Sequence, residues 1–182
     1  MRLVLISLAA SLVAATPAMA SGGYVGVGVT HDNIASSADS EGLGINGLGG
    51  TVFAGYNFDL SSKAYAGFEA NFDLASAKVG DDSDAIEADH AFGASALVGF
   101  RPSDSTAVYG RVGYQRARLT VVSDGDEFSD SADGLRLGLG VKTDLSEKLA
   151  LRLEYNHTHY YGEDGEDGLN NNQAVVSLVY GF

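Results

Sequence analysis

This sequence contains no cysteine, which excludes a disulfide framework and every thiolate metal site and leaves hydrogen bonds and burial as the sources of stability. It contains two prolines, Pro17 near the start and Pro102 in a predicted turn. No predicted strand therefore carries a residue that cannot donate to a ladder. Long apolar runs are also missing: beyond the first twenty residues no window offers the roughly 18 consecutive apolar residues of a spanning helix. A membrane location would have to be reached with strands. Basic residues are scarce, 11 Lys and Arg against 24 Asp and Glu, a balance that disfavours nucleic acid or anionic surfaces as partners.

What is present begins with an export signal. Arg2 precedes the apolar run Leu3-Val4-Leu5-Ile6-Ser7-Leu8-Ala9-Ala10, and Ala18-Met19-Ala20 supplies a small-x-small cleavage site before Ser21. Residues 1–20 are set aside as a cleaved signal peptide, and residues 21–182 are expected to form one domain.

Period-two alternation predicts eight strands, at about 23–31, 47–58, 64–75, 90–100, 107–121, 134–143, 149–161 and 173–182. Connections alternate in length, with long ones near 32–46, 76–89, 122–133 and 162–172 and short ones near 59–63, 101–106 and 144–148. Short turns at one end and long loops at the other are the pattern of an even-stranded membrane barrel. Glycine recurs inside the strand patterns, where it would weaken an open sheet but relieve crowding on the concave face of a tight barrel.

Parity divides each strand into two faces. One is apolar, including Val25, Val27, Val29, Phe68, Phe72, Phe92, Val98, Leu137, Leu139 and Leu153; the other mixes glycine with Thr51, Asn57, Asn71, Ser95, Gln115, Asn156 and charged groups. A soluble ligand-binding barrel would turn the apolar set inward, but its outer face should then be dense in Lys and Glu. The apolar set is therefore expected outside. Tyr56, Phe58, Phe100, Tyr180 and Phe182 fit an aromatic belt at the short-turn end, with Tyr114 and Tyr155 at the other.

Three stretches, Tyr65-Ala66-Gly67-Phe68-Glu69-Ala70-Asn71-Phe72, Val108-Tyr109-Gly110-Arg111-Val112-Gly113-Tyr114 and Leu151-Arg152-Leu153-Glu154-Tyr155, precede a closing Tyr180-Gly181-Phe182. In this order the chain resembles the small eight-stranded outer-membrane barrels, the opacity-protein and outer-membrane-protein-A-like transmembrane domains. The resemblance implies recognition of Tyr180 and Phe182 by the barrel-assembly machinery, with periplasmic chaperones as earlier partners. Phe182 is expected to close the barrel, so no peptidoglycan-binding domain and no cell-wall tether is implied.

Seventeen of the 24 acidic residues fall in the predicted long loops, from Asp32, Asp39 and Glu41 to Glu163, Asp164, Glu166 and Asp167, with Lys78 the lone basic residue there. Solvation of the loops is the plain reading and weak divalent-cation binding the sharper one; Asp124-Gly125-Asp126-Glu127 lacks the spacing of a calcium loop. The inward charges Glu69, Asp73, Arg111, Arg136, Lys142, Arg152 and Glu154 must be paired in so narrow an interior, which predicts a plugged lumen. Arg116 and Arg118, at outward parity near the long-loop end, could grip lipopolysaccharide phosphates.

His157-Thr158-His159-Tyr160 invites comparison with lipid A deacylases, which need a hydroxyl nucleophile, a histidine base and an orienting carboxylate together. Thr158 and His157 are adjacent and face opposite ways, and no carboxylate is identifiable beside them. These histidines, with His31 and His90, read as rim residues. The chain is expected to be a monomeric, all-β, eight-stranded antiparallel up-and-down transmembrane barrel of a Gram-negative outer membrane. It would bind no cofactor, metal or nucleic acid, contact outer-membrane lipid and lipopolysaccharide, and serve envelope structure or surface interaction. A lipid A-modifying enzyme and a soluble periplasmic barrel are the alternatives.

Overall fold

The computed structural model describes residues 22–36, 45–74, 78–81, 84–123, 126–161 and 168–182. Nine strands follow in chain order: β1 (Gly22–Ser36), β2 (Ile45–Asp59), β3 (Ala64–Leu74), β4 (Lys78–Asp81), β5 (Asp84–Ser103), β6 (Thr106–Ser123), β7 (Asp126–Asp144), β8 (Leu149–Tyr160) and β9 (Leu169–Gly181). The sheet order is β3-β2-β1-β9-β8-β7-β6-β5-β4, every pairing is antiparallel, and β3 also pairs with β5. That last pairing closes eight strands into a barrel and leaves β4 as a short addition beside β5. Closure gives every wall strand two partners, so no backbone edge faces the surroundings at barrel depth.

Two corrections to the predicted boundaries concern the long-loop end. The stretches near 76–89 and 122–133 are largely strand, because β5, β6 and β7 pair continuously beyond the wall as far as Asp84↔Ser123 and Ser123↔Asp126. A register shift between Ala88 and His90 marks where the extension leaves the wall. Asp32, expected in a loop, belongs to β1 and is buried inside the barrel. Asp133 lies in β7, and Asp81, Asp84, Glu87, Asp89, Asp126, Glu127 and Asp130 lie in strands. Asp39, Glu41, Asp82, Asp124, Glu163, Asp164, Glu166 and Asp167 fall outside the described residues, as does the signal peptide.

The short turns repeat one piece of chemistry. In Asp59-Leu60-Ser61-Ser62-Lys63-Ala64 the Leu60 amide donates to the Ala64 carbonyl at 2.9 Å, and Ser61 Oγ accepts the Ala64 amide at 3.0 Å. Asp144-Leu145-Ser146-Glu147-Lys148-Leu149 does the same with Leu145, Leu149 and Ser146, at 2.8 and 3.2 Å. Serine hydroxyls substitute here for a backbone turn acceptor.

The wall is apolar outside. Val27, Val29, Val52, Phe68, Phe92, Val98, Leu139 and Leu153 are all half or more exposed, whereas Glu69, Arg111, Arg136 and Arg152 are buried. Glycines make this possible. A Cβ on Gly26 would lie 2.1 Å from the Phe53 ring, one on Gly99 2.2 Å from Tyr65, and one on Gly140 2.2 Å from Tyr109. Each inward aromatic occupies the place of a missing side chain on a neighbouring strand. Gly110 has outward parity, and its Cβ would meet nothing nearer than 3.8 Å.

Gly140→Val should therefore destabilise the barrel by about 1–3 kcal/mol through overpacking against Tyr109, whereas Gly110→Val should change stability by about 0.5 kcal/mol or less. Urea unfolding in lipid vesicles checks the contrast.

Candidate functional site: the lumen and the outer rim

The interior is layered along the barrel axis. At the short-turn end, two clusters of buried apolar side chains, Tyr24, Phe53, Ala150 and Val179 in one and Tyr65, Leu97, Ala107 and Tyr109 in the other, form a floor. Parity puts Phe53, Tyr65 and Tyr109 on the inward stripe, but the polar and glycine-rich character of that stripe hides an aromatic floor. Their hydroxyls and ring faces meet the charges above.

On that floor sits a quartet of charges. Arg111 donates from Nη2 to Glu69 Oε1 at 2.8 Å and from Nη1 to Glu154 Oε1 at 2.6 Å. Arg152 reaches Glu69 Oε2 at 2.5 Å and Oε1 at 3.1 Å, and lies 3.1 Å from Glu154 Oε2. Two carboxylates and two guanidiniums alternate, so the local charge sums to zero. Tyr24 donates to Glu69 at 2.9 Å, Tyr109 donates to Glu154, and Asn156 donates to Glu154 at 2.8 Å. Arg152 also stacks 3.9 Å from the Phe53 ring centroid, a cation–π contact available to a weakly hydrated guanidinium.

Nearer the long-loop end lies a second cluster. Asp73 receives Arg136 at 3.0 Å, Gln115 at 3.0 Å and the Thr51 hydroxyl at 2.6 Å. Arg136 also donates to Thr158 at 3.3 Å. Asp32 accepts from Thr30, Asn171 and Gln173 at 2.9, 2.8 and 3.0 Å. Gln173 links back to Asn156 at 3.3 Å, and Asn71 to Gln115 at 3.4 Å, so amide side chains join the two ionic layers. Among the described residues, one lumen cavity of about 30 Å³ lies at the short-turn end and one of about 60 Å³ at the other. A single water needs roughly 10–15 Å³.

Lys142 stands apart from both clusters. It faces inward at the short-turn end, 3.8 Å from Asp144. Its strand position gave the right face, but it lies one layer too far towards the turn to reach the quartet. Arg101 and Asp59 form another pair at that end, at 2.9 Å.

On the outer wall, Arg116 lies 3.5 Å from Asp133, with both side chains nearly half exposed, and Tyr114 donates to the same carboxylate at 2.5 Å. Arg118 stands in register with His90 and Ser131, and His90 stacks on Phe72. Tyr180 is half-buried and Phe182 is exposed. His157 and His159 face outward and bond Asn172 and Asn170 at 2.9 and 2.8 Å. Thr158 is 1% exposed and points into the lumen. The hydroxyl and the imidazoles thus lie on opposite sides of the wall, and the imidazole partners are amides.

Arg111→Met leaves Glu69 and Glu154 short of a buried partner and should cost about 3–5 kcal/mol, whereas Arg116→Met removes an exposed pair and should cost about 1 kcal/mol or less. Denaturant unfolding of the two variants in the same vesicles measures the difference.

A family model described as outer membrane protein beta-barrel domain matches residues 3–182. A curated relative, the 22 kDa outer membrane protein of Rhizobium leguminosarum bv. viciae, is 28% identical over 121 residues, 65% of this chain; the chain spans 55% of that protein's length. Among solved structures, Neisserial surface protein A superposes with a TM-score of 0.68 at 16% identity, over 89% of this chain and 98% of that one. Ail, the attachment invasion locus protein of Yersinia pestis, gives 0.64 at 15% identity, over 90% of this chain and 100% of that one. Closed wall, outward apolar face and family match agree: the chain belongs to the outer membrane protein beta-barrel domain family and is a protein of the outer membrane.

Proposed function

We propose that this protein is a non-catalytic envelope barrel with a plugged lumen, which presents its long-loop end for surface interaction of an adhesive kind. The observation that carries the reading is the continuous network from Tyr24 and Glu69 through Asn156 and Gln173 to Asp32. Opening a water path through it would separate buried, mutually compensating charges, each worth several kcal/mol when left unpaired. Against catalysis stands the separation of Thr158 from His157 and His159 by the wall itself.

The surface role draws on the longer half of the barrel. β5, β6 and β7 contain 20, 18 and 19 residues against 11 and 12 in β3 and β8, and the surplus lies at the long-loop end. Two proteins of similar fold, Neisserial surface protein A and the attachment invasion locus protein Ail, are compatible with such a role. Acidic loops would keep that end repulsive to anionic surfaces and favour a partner with basic groups. Outer-leaflet lipid is the other contact in this reading, with Arg116 and Arg118 directed at lipopolysaccharide phosphates. During biogenesis the barrel-assembly machinery and periplasmic chaperones would handle the strand ending in Tyr180 and Phe182.

Three measurements test this. Purified barrel in planar bilayers should give no steady conductance, and reproducible unitary steps would contradict a plugged lumen. A deletion strain should keep its lipid A acyl pattern; a changed pattern restored by the gene would favour an enzyme. The same strain should attach less to host cells or matrix, and unchanged attachment would remove the adhesive role.

A further inference from the structure

The outer wall has two unlike halves. Outward positions of β8, β9, β1 and β2 hold no Asp, Glu, Lys or Arg among the described residues, whereas the β6–β7 side carries Arg116, Arg118 and Asp133. One cross-strand row crosses this uncharged half and runs on into β7: Leu48, His31, Ala174, Tyr155 and Leu139. Ala174 is the small member, and over it lies an outward-open groove of about 670 Å³, walled by Val29, Leu48, Leu139, Leu153 and Tyr155. The next row towards the long-loop end is polar: Asn46, Asn33, Asn172 and His157.

Hydrogen bonds join neighbours in that row in two groups. Asn33 donates to Asn46 at 2.8 Å, while Asn172 Oδ1 accepts from Tyr155 Oη at 2.8 Å and from His157 Nδ1 at 2.9 Å. One step higher, His159 Nδ1 donates to Asn170 Oδ1 at 2.8 Å. Because each amide oxygen can only accept, Nδ1 is the donor in both contacts, and in the neutral imidazole Nε2 is then the acceptor. The row therefore offers acceptors for an N–H or O–H at the point where the apolar groove ends.

We propose that this sector holds one outer-leaflet lipid, its acyl chain lying in the groove over Ala174 and an amide or hydroxyl close to its headgroup bonded to the His157–Asn172 row. The groove is shallow and open along one side, a form that suits an acyl chain lying against the wall. With no cation in the sector, a phosphate finds no counter-charge; an amide-linked, hydroxylated acyl chain finds acceptors. Lipid A is the outer-membrane lipid of that class, and a diacyl phosphatidylethanolamine, whose chains are ester-linked, is not. The inference rests on the lipid-facing orientation of the wall and is independent of the plugged lumen and of Arg116 and Arg118.

The test is native mass spectrometry of the folded barrel released from detergent after titration with lipid A or with phosphatidylethanolamine, folding being read by the gel mobility shift on boiling. The wild type should retain one lipid A, about tenfold in preference to phosphatidylethanolamine. Ala174→Phe, which fills the groove, should lower lipid A retention about tenfold, and Ala174→Ile serves if that variant does not fold. Leu178→Phe, on the same outward stripe beyond the groove, should change nothing. His157→Leu combined with Asn172→Leu should abolish the preference between the two lipids. Equal retention of both lipids by the wild type, undiminished retention after filling the groove, or an equal loss in Leu178→Phe would each overturn the proposal. None of these results bears on conductance or attachment, so the two readings fail separately.

Discussion

The arrangement of the barrel follows from the alternation of Glu69, Arg152, Glu154 and Arg111 at its centre. Four ions removed from water are tolerable only when opposite charges meet and hydrogen bonds take up most of the remaining lone pairs and protons; here the Nε of Arg111 and of Arg152 are left over. This requirement explains the surroundings. Tyr24 and Tyr109 supply phenolic donors, Ser95 accepts from Arg111 at 3.2 Å, and Asn156 supplies an amide. The rings carrying those phenols need space on the neighbouring strands, and Gly55 and Gly140 provide it.

The same arrangement sets the outside. Three strands contribute the quartet, one residue each from β3 and β6 and two from β8, and a single-residue slip would move those charges to the lipid face. Hydrocarbon outside and ionic groups inside thus fix register together. The outer wall then varies freely within the limit of being apolar, and it does vary: uncharged among the described residues on the β8-β9-β1-β2 side, fringed with arginine and aspartate on the other.

Much of this was legible in the sequence, because a two-residue period carries face information directly. Parity puts Phe68, Phe72 and Phe92 on one face and Glu69, Arg111 and Arg152 on the other, and the low density of Lys and Glu on the polar face is what turns the apolar face outward. Depth along the axis cannot. Lys142 has the correct face, yet pairs with Asp144 outside both ionic layers. Asp32 reads as loop because the alternation of strand one ends at His31 and its neighbours Thr30 and Asn33 are polar; in the barrel Thr30 and Asp32 face the lumen and Asn33 lies at the rim. The extensions of β5, β6 and β7 were missed for a related reason: Asp, Ser and Gly at the tips signal turns, and pairing across three strands overrides that local preference. The groove at Ala174 depends on which small residue meets which large ones across four strands, a register property that no single strand displays.

The account stands or falls on which side of the wall meets lipid. The chain has no native cysteine, so single spin labels can be introduced at Val112 and Leu139 on one face and at Ser95 and Ser177 on the other, in barrels reconstituted into bilayers. Labels at Val112 and Leu139 should collide readily with dissolved oxygen and hardly at all with a water-soluble nickel chelate, while labels at Ser95 and Ser177 should be immobile and shielded from both. High nickel accessibility at Leu139 together with oxygen-rich mobility at Ser95 would contradict the account.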